Sequence, residues 1–265
     1  MPGRFPKKRF SQVFLADKKY VKRIIDKLEI TSDDTIIEIG SGRGTLTELI
    51  AKTGARLYSF EIDRDLIDVL EKKFAPYENV TIINQNFLET DPKKYFDGKF
   101  KLIGNIPYDI TSPLLDWMIQ YQDLISLGVL TTQKELAQRI SSSSGSKNWA
   151  PISIFCQCAF DVQLVFDIPP KAFYPPPKIY SSTMVFKPEK SDGDYQIKDR
   201  AFFEKIVRQS FLHRRKQLVN NLSKLPEIEK DRIEKILEEL NLKRNCRAEQ
   251  IDINSFIRLS ELLNS

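Results

Sequence analysis

The chain has 265 residues and a net charge of +5 at pH 7, with enough apolar content to bury the core of one large and one small domain. Its three cysteines and single histidine, His213, argue against a disulfide scaffold, a metal site or Ser-His-Asp chemistry. Because no stretch reaches ~18 consecutive apolar residues and no secretion signal is evident, we expect a cytoplasmic protein with no membrane partner.

The first half of the chain alternates predicted helices with predicted strands. A helix with Asp17 as its N-cap precedes the first strand, and the later helices show apolar residues at three-and-four spacing. The predicted helices cover residues 17–28, 46–50, 63–74, 112–121 and 134–140. The predicted strands cover residues 35–39, 56–62, 80–83, 100–103 and 125–130. This alternation predicts a mostly parallel sheet with ligand-binding groups at the carboxyl ends of its strands.

The second half changes character twice. Residues 141–147 are rich in serine and are interpreted as a linker, with a mobile rim of the site as the alternative. A buried helix and an antiparallel pair of strands follow, at residues 152–159, 162–168 and 179–186. The composition then turns polar, which places a domain boundary between residues 187 and 188. Beyond it we expect a small helical domain with helices over residues 201–222, 227–240 and 254–263.

Three glycines, Gly40, Gly42 and Gly44, stand between the first strand and its helix, where they allow the backbone to approach a ligand closely. Glu61, at the end of the second strand, is placed to accept hydrogen bonds from ribose hydroxyls in either a nicotinamide or an adenosylmethionine enzyme. Asn86 follows the third strand and would lie near an adenine ring. The alternatives are a solvated acid at a strand end and an ordinary turn asparagine.

A tetrapeptide, Asn105-Ile106-Pro107-Tyr108, follows the fourth strand. An amide and a carbonyl that accept hydrogen bonds, beside a ring that can stack, suit the binding of a flat base with an amine group. An ordinary turn before a proline is the alternative.

Basic residues form clusters at both ends of the chain. They are Lys7 to Arg9, His213 to Lys216, and Lys243 with Arg244. Such clusters fit a polyanion partner, although solvated surface explains them equally well. In the predicted helix over 201–222, Arg208 and Arg215 share a face.

Taken together, five motifs resemble the rRNA adenine N6-dimethyltransferase family, over nearly the whole chain. The motifs are Gln12-Val13-Phe14-Leu15, the loop from Glu38 to Gly44, the tetrapeptide, the element from Phe173 to Ser181, and the run from Phe211 to Leu218 followed by Asn220. The last motif is similar to that of the KsgA type, which modifies small-subunit ribosomal RNA. It therefore favours that branch over the erythromycin-resistance branch, which acts on large-subunit RNA.

The resemblance implies a fold, an activity and a partner. The fold is α/β, a class I (Rossmann-like) S-adenosylmethionine-dependent methyltransferase sheet with a small C-terminal all-helical domain. Residues 1–187 would bind S-adenosylmethionine and catalyse, and residues 188–265 would recognise RNA or the ribosome. The implied activity is dimethylation at N6 of two adjacent adenines in a hairpin loop near the 3′ end of small-subunit rRNA. The implied enzyme is a monomer that acts on this RNA, or on a pre-30S-like subunit, during ribosome biogenesis.

The resemblance also implies site residues. The methyl donor would be held by Gln12, Val13, Leu15, Gly40, Gly42, Gly44, Glu61, Ile62, Asn86 and Asn105. The amide oxygen of Asn105 and the carbonyl of Ile106 would orient the adenine N6 amine, in a pocket completed by Pro107. Tyr108 and Phe173 would clamp the ring. Phosphates of the RNA would meet Arg208, Arg214, Arg215 and Lys216.

Four positions depart from the family pattern. Ser11 and Val13 replace the usual Gly and Asn or His, so at position 13 only a backbone contact to the donor is expected. Asn86 stands for the usual Asp, and Asp109 for a frequent Asn. These changes keep open a second class of function, an assembly or transcription factor that uses the fold mainly to bind nucleic acid. A nicotinamide dehydrogenase is a poorer third, since no catalytic acid and base pair is evident.

Overall fold

The computed structural model describes residues 13–107, 109–188 and 195–265. These residues form two compact units. The first unit contains the described residues up to 137 together with 160–188, and the second contains 138–159 together with 195–265.

A central sheet of seven strands organises the first unit. The strands of the unit are β1 (Phe14–Leu15), β2 (Thr35–Ile39), β3 (Arg56–Glu61), β4 (Val80–Asn84), β5 (Phe100–Asn105), β6 (Ile125–Gln133), β7 (Phe160–Ile168), β8 (Phe173–Tyr174) and β9 (Ser181–Pro188). The order across the sheet is β4-β3-β2-β5-β6-β9-β7. Strands β2 to β6 pair in parallel, while β9 is antiparallel to both of its neighbours. The predicted mostly parallel sheet with an antiparallel pair is confirmed.

Helices cover both faces of this sheet. They are α1 (Lys18–Lys27), α2 (Thr45–Ala51), α3 (Arg64–Phe74) and α4 (Thr111–Gln120), and α5 (Lys134–Ile140) leads into the second unit. Asp17 and Asp63 cap α1 and α3 as predicted, each accepting a hydrogen bond from the backbone two residues on. Apolar residues of α1 and α2 pack against one set of strand side chains, such as Ile36.

The strand order reverses at β2, which lies between β3 and β5. In open α/β sheets, ligands bind in the crevice outside the carboxyl ends of the strands at such a point. Strand β5 runs two residues further than predicted, because Gly104 pairs with both Ile39 and Leu130 and Asn105 pairs with Thr131. Asn105 is therefore held by the sheet rather than by a turn.

A two-stranded ribbon, β1 with β8, was missed by the sequence prediction. Phe14 pairs with Tyr174 and Leu15 pairs with Phe173. The inner face of the ribbon, Leu15 and Phe173, is buried in the core cluster of the first unit. The backbone amides of Ala16 and Asp17 extend the pairing by donating to the Ala172 carbonyl, at 2.9 and 3.1 Å. The ribbon therefore fixes the start of the described chain beside the proline-rich element.

The second unit consists of helices. They are α6 (Pro151–Ala159), α7 (Arg200–Ser210), α8 (Leu218–Leu222), α9 (Lys230–Glu239) and α10 (Ile253–Asn264). Helix α6 belongs here because Phe155 packs edge-on against Phe203 of α7, with the ring centres 6.3 Å apart. The expected boundary at 187/188 therefore differs from the observed division for residues 138–159, and residues 189–194 lie outside the described part.

The serine-rich segment is more firmly attached than a plain linker. The Gly145 amide donates to the Glu249 carbonyl at 2.7 Å, and the Arg214 guanidinium donates to the Lys147 carbonyl at 2.5 Å. Next to it, Trp149 is buried and its indole donates to the Ile251 carbonyl at 2.9 Å. The interpretation as a free linker was wrong.

The single helix expected over 201–222 is also wrong. Helix α7 ends at Ser210, turns occupy 211–215, and α8 begins at Leu218. The Asn221 side-chain amide donates to the carbonyls of Ser210 and His213 at 2.6 and 3.2 Å. These carbonyls would accept from backbone amides if the helix continued, so Asn221 stabilises the break. Arg208 and Arg215 consequently do not share a helix face.

No helix in the described parts of the chain is long and apolar enough to span a bilayer.

Candidate active site

A cavity of about 260 Å³ opens at the carboxyl ends of the central strands of the first unit. Its walls come from the ribbon, the glycine loop after β2, the end of β3, the segment after β4 and the end of β5. They include nine of the predicted site residues: Val13, Leu15, Gly40, Gly42, Glu61, Ile62, Asn86, Asn105 and Pro107. The structure thus brings together groups that lie up to 94 positions apart in the chain, from Val13 to Pro107.

The glycine loop is shaped by left-handed backbone at Gly40, Gly42 and Gly44, with φ of 75°, 56° and 72°. The amide of Gly40 donates to the Phe60 carbonyl at 2.9 Å, which fixes the loop to β3. A Cβ at Gly44 would lie 2.6 Å from the Phe74 ring, so this glycine serves the packing of α2 on α3. Gly44 does not line the cavity, unlike the other two glycines.

Glu61 fastens the loop from the other side. Its two carboxylate oxygens accept from the amides of Gly42 and Asp63, at 2.8 and 2.9 Å. Burial raises the pKa of the Glu61 carboxyl, and the nearby Asp63 charge adds to the shift, while these hydrogen bonds oppose it. Each carboxylate oxygen keeps acceptor capacity, so Glu61 can still bind hydroxyl groups of a ligand.

Glu38 begins the loop motif, but the sequence analysis gave it no role of its own in the site. It is 1% exposed, and its Oε2 accepts from the hydroxyls of Thr47 and Ser59, both at 2.6 Å. Its Oε1 is buried without a hydrogen-bond partner among the described residues. Burial raises the pKa of Glu38 to about 7, and the Glu61 charge adds to the effect, against those hydroxyl bonds. The signal in the sequence is an acid inside an otherwise apolar strand.

Asn105 faces the cavity with a defined orientation. Its Nδ2 donates to the Val13 carbonyl at 2.9 Å. Because a carbonyl only accepts, the amide nitrogen has to point at Val13, and this directs Oδ1 elsewhere. Among the described residues Oδ1 has no partner, so it is an acceptor at the cavity wall.

The turn after Asn105 is tied down as well. The Ile106 amide donates to the Thr131 carbonyl at 2.9 Å, and the Thr111 hydroxyl donates to the Pro107 carbonyl at 3.1 Å. The side chain of Ile106 is buried and does not line the cavity. Tyr108, like Gln12, lies outside the described residues.

Comparison with known proteins explains this arrangement. Residues 5–265 match the family model described as "Ribosomal RNA adenine dimethylase". The chain belongs to this family. A "Ribosomal RNA small subunit methyltransferase A" from Halothermothrix orenii is 36% identical over 264 residues, which covers 97% of this chain and 87% of the relative. The chain is accordingly a methyltransferase of the ribosomal RNA adenine dimethylase family.

Two solved structures share the fold at 25% identity. A dimethyladenosine transferase from Plasmodium falciparum gives a TM-score of 0.78 and covers 93% of this chain and 95% of its own. The 23S rRNA methyltransferase ErmE gives 0.73 and covers 95% of this chain and 100% of its own. The predicted class I methyltransferase fold is confirmed, and the methyl donor of the family is S-adenosylmethionine.

The cavity fits this methyl donor. S-adenosylmethionine carries an ammonium and a sulfonium cation. The buried Oε1 of Glu38, which has no partner among the described residues, offers such a cation a hydrogen-bond acceptor with negative charge. Glu61 offers acceptor capacity to the ribose, and half-exposed Ile62 offers an apolar surface to the adenine ring. No group of three or more metal-ligating side chains occurs within the described ranges.

Asn86 lines the cavity, but its side chain is already occupied. Oδ1 accepts from the Leu88 amide at 3.2 Å, and Nδ2 donates to Glu89 at 2.8 Å. These bonds cap the short 3₁₀ helix at 87–89. Asn86 is therefore a turn residue that also lines the cavity. Its contact to the adenine ring stays a prediction.

Phe173 lies elsewhere than expected. Its ring is 4% exposed and packs in the core cluster beside Leu15, and it does not line the cavity. A ring so buried presents no face to a base, because stacking requires an accessible π surface. A clamp role for Phe173 stays a prediction that requires the ring to move out of the core. The adjacent exposed aromatic ring is that of Tyr174.

The four predicted RNA-binding residues occupy different settings in the helical unit. Arg208 is exposed and lies over the Phe155 ring at 4.9 Å. Arg214 donates to the carbonyls of Lys147 and Trp149, so it holds the serine-rich segment. Arg215 and Lys216 are exposed in the turn before α8, and neither side chain forms a hydrogen bond or an ion pair with another described residue.

The raised pKa of Glu38 leads to a test by pH. Ionisation of Glu38 favours a cationic ligand, so affinity for S-adenosylmethionine should rise roughly tenfold between pH 5.5 and pH 7, with proton release on binding. Over the same interval the free protein should lose stability, because an unfolded glutamate ionises near 4.5 and the folded one only near 7. Calorimetry and urea unfolding measure the two effects.

Glu38→Gln is the matched control, since it keeps the shape and removes the titration. Both pH dependences should be much weaker in this variant. If wild type and Glu38→Gln showed the same slopes, the assignment of Glu38 as the titrating group would be wrong.

Proposed function

We propose that the chain transfers methyl groups to N6 of two adjacent adenines in a hairpin loop near the 3′ end of small-subunit ribosomal RNA. The proposal is supported by family membership and by curated relatives that are named for the small subunit. The observation that carries it is the Asn105 amide, whose Oδ1 is an acceptor beside the cavity of the glycine loop.

The task of Asn105 is to position the amine of the substrate. Oδ1 accepts an N–H of the adenine N6 amine, and the Ile106 carbonyl accepts the other. Holding both hydrogens orients the nitrogen lone pair, and orientation of this kind supplies much of the rate acceleration in a two-substrate reaction. Bound S-adenosylmethionine would supply the methyl group from its sulfonium sulfur. The bond between that sulfur and the methyl carbon breaks, and the leaving group is a neutral thioether. A neutral amide is too weak a base to keep the N6 proton, so the proton passes to water.

The target adenine has to leave its stack to reach Asn105. An unpaired loop base costs least to extrude, which fits a hairpin loop as the substrate. We place Tyr108 against the ring in this pose, as the resemblance implies. The pocket edge near Pro107 stays in place because the turn is bonded to Thr111, and the Thr111 and Thr132 hydroxyls lie 3.1 Å apart.

The helical unit supplies phosphate contacts. Arg215 and Lys216 are the strongest candidates, because both are exposed, adjacent and not engaged by other described side chains. Arg208 can add a third contact. Arg214 is a weaker candidate, because its guanidinium already donates to the carbonyls of Lys147 and Trp149. We infer a monomer, as the resemblance to the family implies. We further infer that it works in the cytoplasm on a pre-30S-like subunit.

The first prediction from this proposal concerns Asn105. Wild type incubated with labelled S-adenosylmethionine should label small subunits from unmethylated ribosomes, on adenines that mapping places next to each other. Asn105→Ala should lower this rate at least about a hundredfold, because the amine loses its alignment. The affinity for S-adenosylmethionine should fall much less, because Glu38, Glu61 and Ile62 still line the cavity.

Asn264→Ala is the matched control, because Asn264 is an exposed asparagine of the helical unit that bonds Asp199. It should behave like wild type. Transfer by Asn105→Ala within a few-fold of wild type would refute the positioning role. Labelling of large subunits instead of small ones would assign the protein to the ErmE-like activity.

The second prediction concerns the basic turn at Arg215 and Lys216. Phosphate contacts release counterions, so each one contributes ~0.7–0.9 to the slope of log affinity against log salt. Changing both residues to Gln should weaken binding to the small subunit and reduce that slope by roughly 1.5, as measured by filter binding at several salt concentrations.

Two exposed lysines of the same unit, Lys224 and Lys235, offer a control with the same loss of charge. Their double change to Gln should leave the slope within error of wild type. If both double variants reduced the slope equally, net charge rather than the turn would set the affinity.

A further inference from the structure

The outer face of the ribbon carries two aromatic rings beside the cavity. Phe14 and Tyr174 are cross-strand neighbours, and Tyr174 is 48% exposed. Phe14 lines the cavity and rests on the glycine loop, since a Cβ at Gly42 would lie 3.0 Å from its ring. The inner residues of the ribbon are buried, so strand alternation directs these two rings outward.

A cation lies against both rings. Cζ of Arg43, in the glycine loop, is 4.9 Å from the ring centre of Phe14 and 5.6 Å from that of Tyr174. Arg43 is exposed and also lines the cavity. A guanidinium stacked on aromatic rings has five N–H donors in its plane, so it can bind an oxyanion in addition to partners within the protein. The three residues form a cluster at the rim, which we call the rim cluster.

A second pair of a cation and an aromatic ring lies at the other end of the segment 174–180, which begins at Tyr174. Tyr180 is 50% exposed, and Nζ of Lys134 lies 5.7 Å from its ring centre. Lys134 is also paired with Asp167 at 2.5 Å, which neutralises part of its charge. Between the two tyrosines, Lys178 is exposed. Exposed rings interleaved with basic residues are typical of surfaces that bind single-stranded nucleic acid.

The charges inside and outside the cavity differ in sign. Glu38, Glu61 and Asp109 line the cavity. These acids suit a cationic methyl donor and disfavour a phosphate. Arg43 and Lys178 lie toward the exposed segment, where an RNA backbone would pass on its way to the cavity. The same arrangement therefore separates the two substrates of the reaction by charge.

We propose that the rim cluster binds the RNA strand immediately next to the target adenine, with the Tyr174 ring stacked on a neighbouring base and Arg43 on a backbone phosphate. The inference rests on the proposed function, because it extends the same site from the methylated base to its neighbour. It assigns to Tyr174 a stacking surface that the buried Phe173 does not offer.

The experiment measures steady-state kinetics on unmethylated small subunits with saturating S-adenosylmethionine. Tyr174→Ala should raise KM for the subunit roughly tenfold or more, because a base loses its stacking partner, and Tyr174→Phe should keep the wild-type value. Arg43→Gln should also raise KM for the subunit. In addition it should reduce the slope of log affinity for the subunit against log salt by ~0.7–0.9, and a purely structural effect would not change this slope. Arg43→Lys should keep that slope.

Calorimetry with S-adenosylmethionine separates the outcomes. The proposal expects dissociation constants within about twofold of wild type for all four variants. If Arg43→Gln weakened donor binding and left KM for the subunit unchanged, Arg43 would bind the donor carboxylate and the proposal would be wrong for it. Unchanged KM in Tyr174→Ala would refute stacking. Both failures are distinct from failure of the proposed function, in which wild type itself would not methylate small subunits.

Discussion

The hydrogen bond from the Asn105 side chain to the Val13 carbonyl joins the three parts of the chain on which the site depends. Val13 leads into the ribbon that pairs Phe14 with Tyr174, and the ribbon rests on the glycine loop through Gly42. Asn105 itself ends a strand that the central sheet holds on both sides. Because the Val13 carbonyl holds the Asn105 side-chain nitrogen, the oxygen Oδ1 is already oriented before the substrate binds.

Charge and polarity divide the site into regions with different tasks. The cavity contains two buried carboxylates, of which Glu38 keeps one oxygen without a partner in the described structure, and this composition favours a cation. The rim contains Arg43 against two aromatic rings, and this composition favours a nucleic acid. An enzyme that combines a cationic donor with a polyanionic acceptor needs such a separation, because one uniform potential would repel one of the two substrates.

Much of this arrangement follows from local sequence patterns. Strand β2 begins and ends at Thr35 and Ile39 as predicted, because its β-branched run stops at a glycine. Polar residues at the ends of parallel strands converge, so Glu61 and Asn105 could be assigned to one site. The two-residue ribbon is too short to show a period, and the helix break depends on Asn221, which lies eleven positions after Ser210. The burial of Phe173 follows from its pairing partner Leu15.

In the proposed reaction the Asn105 amide keeps its bond to the Val13 carbonyl while its oxygen accepts from the substrate. The most direct measurement is a crystal structure of the protein with S-adenosylhomocysteine and an RNA hairpin that carries the target adenine. We expect Oδ1 of Asn105 at ~2.7–3.2 Å from the adenine N6, with Nδ2 still donating to the Val13 carbonyl. An Asn105 side chain turned away from Val13, or an N6 amine held by other groups, would contradict it.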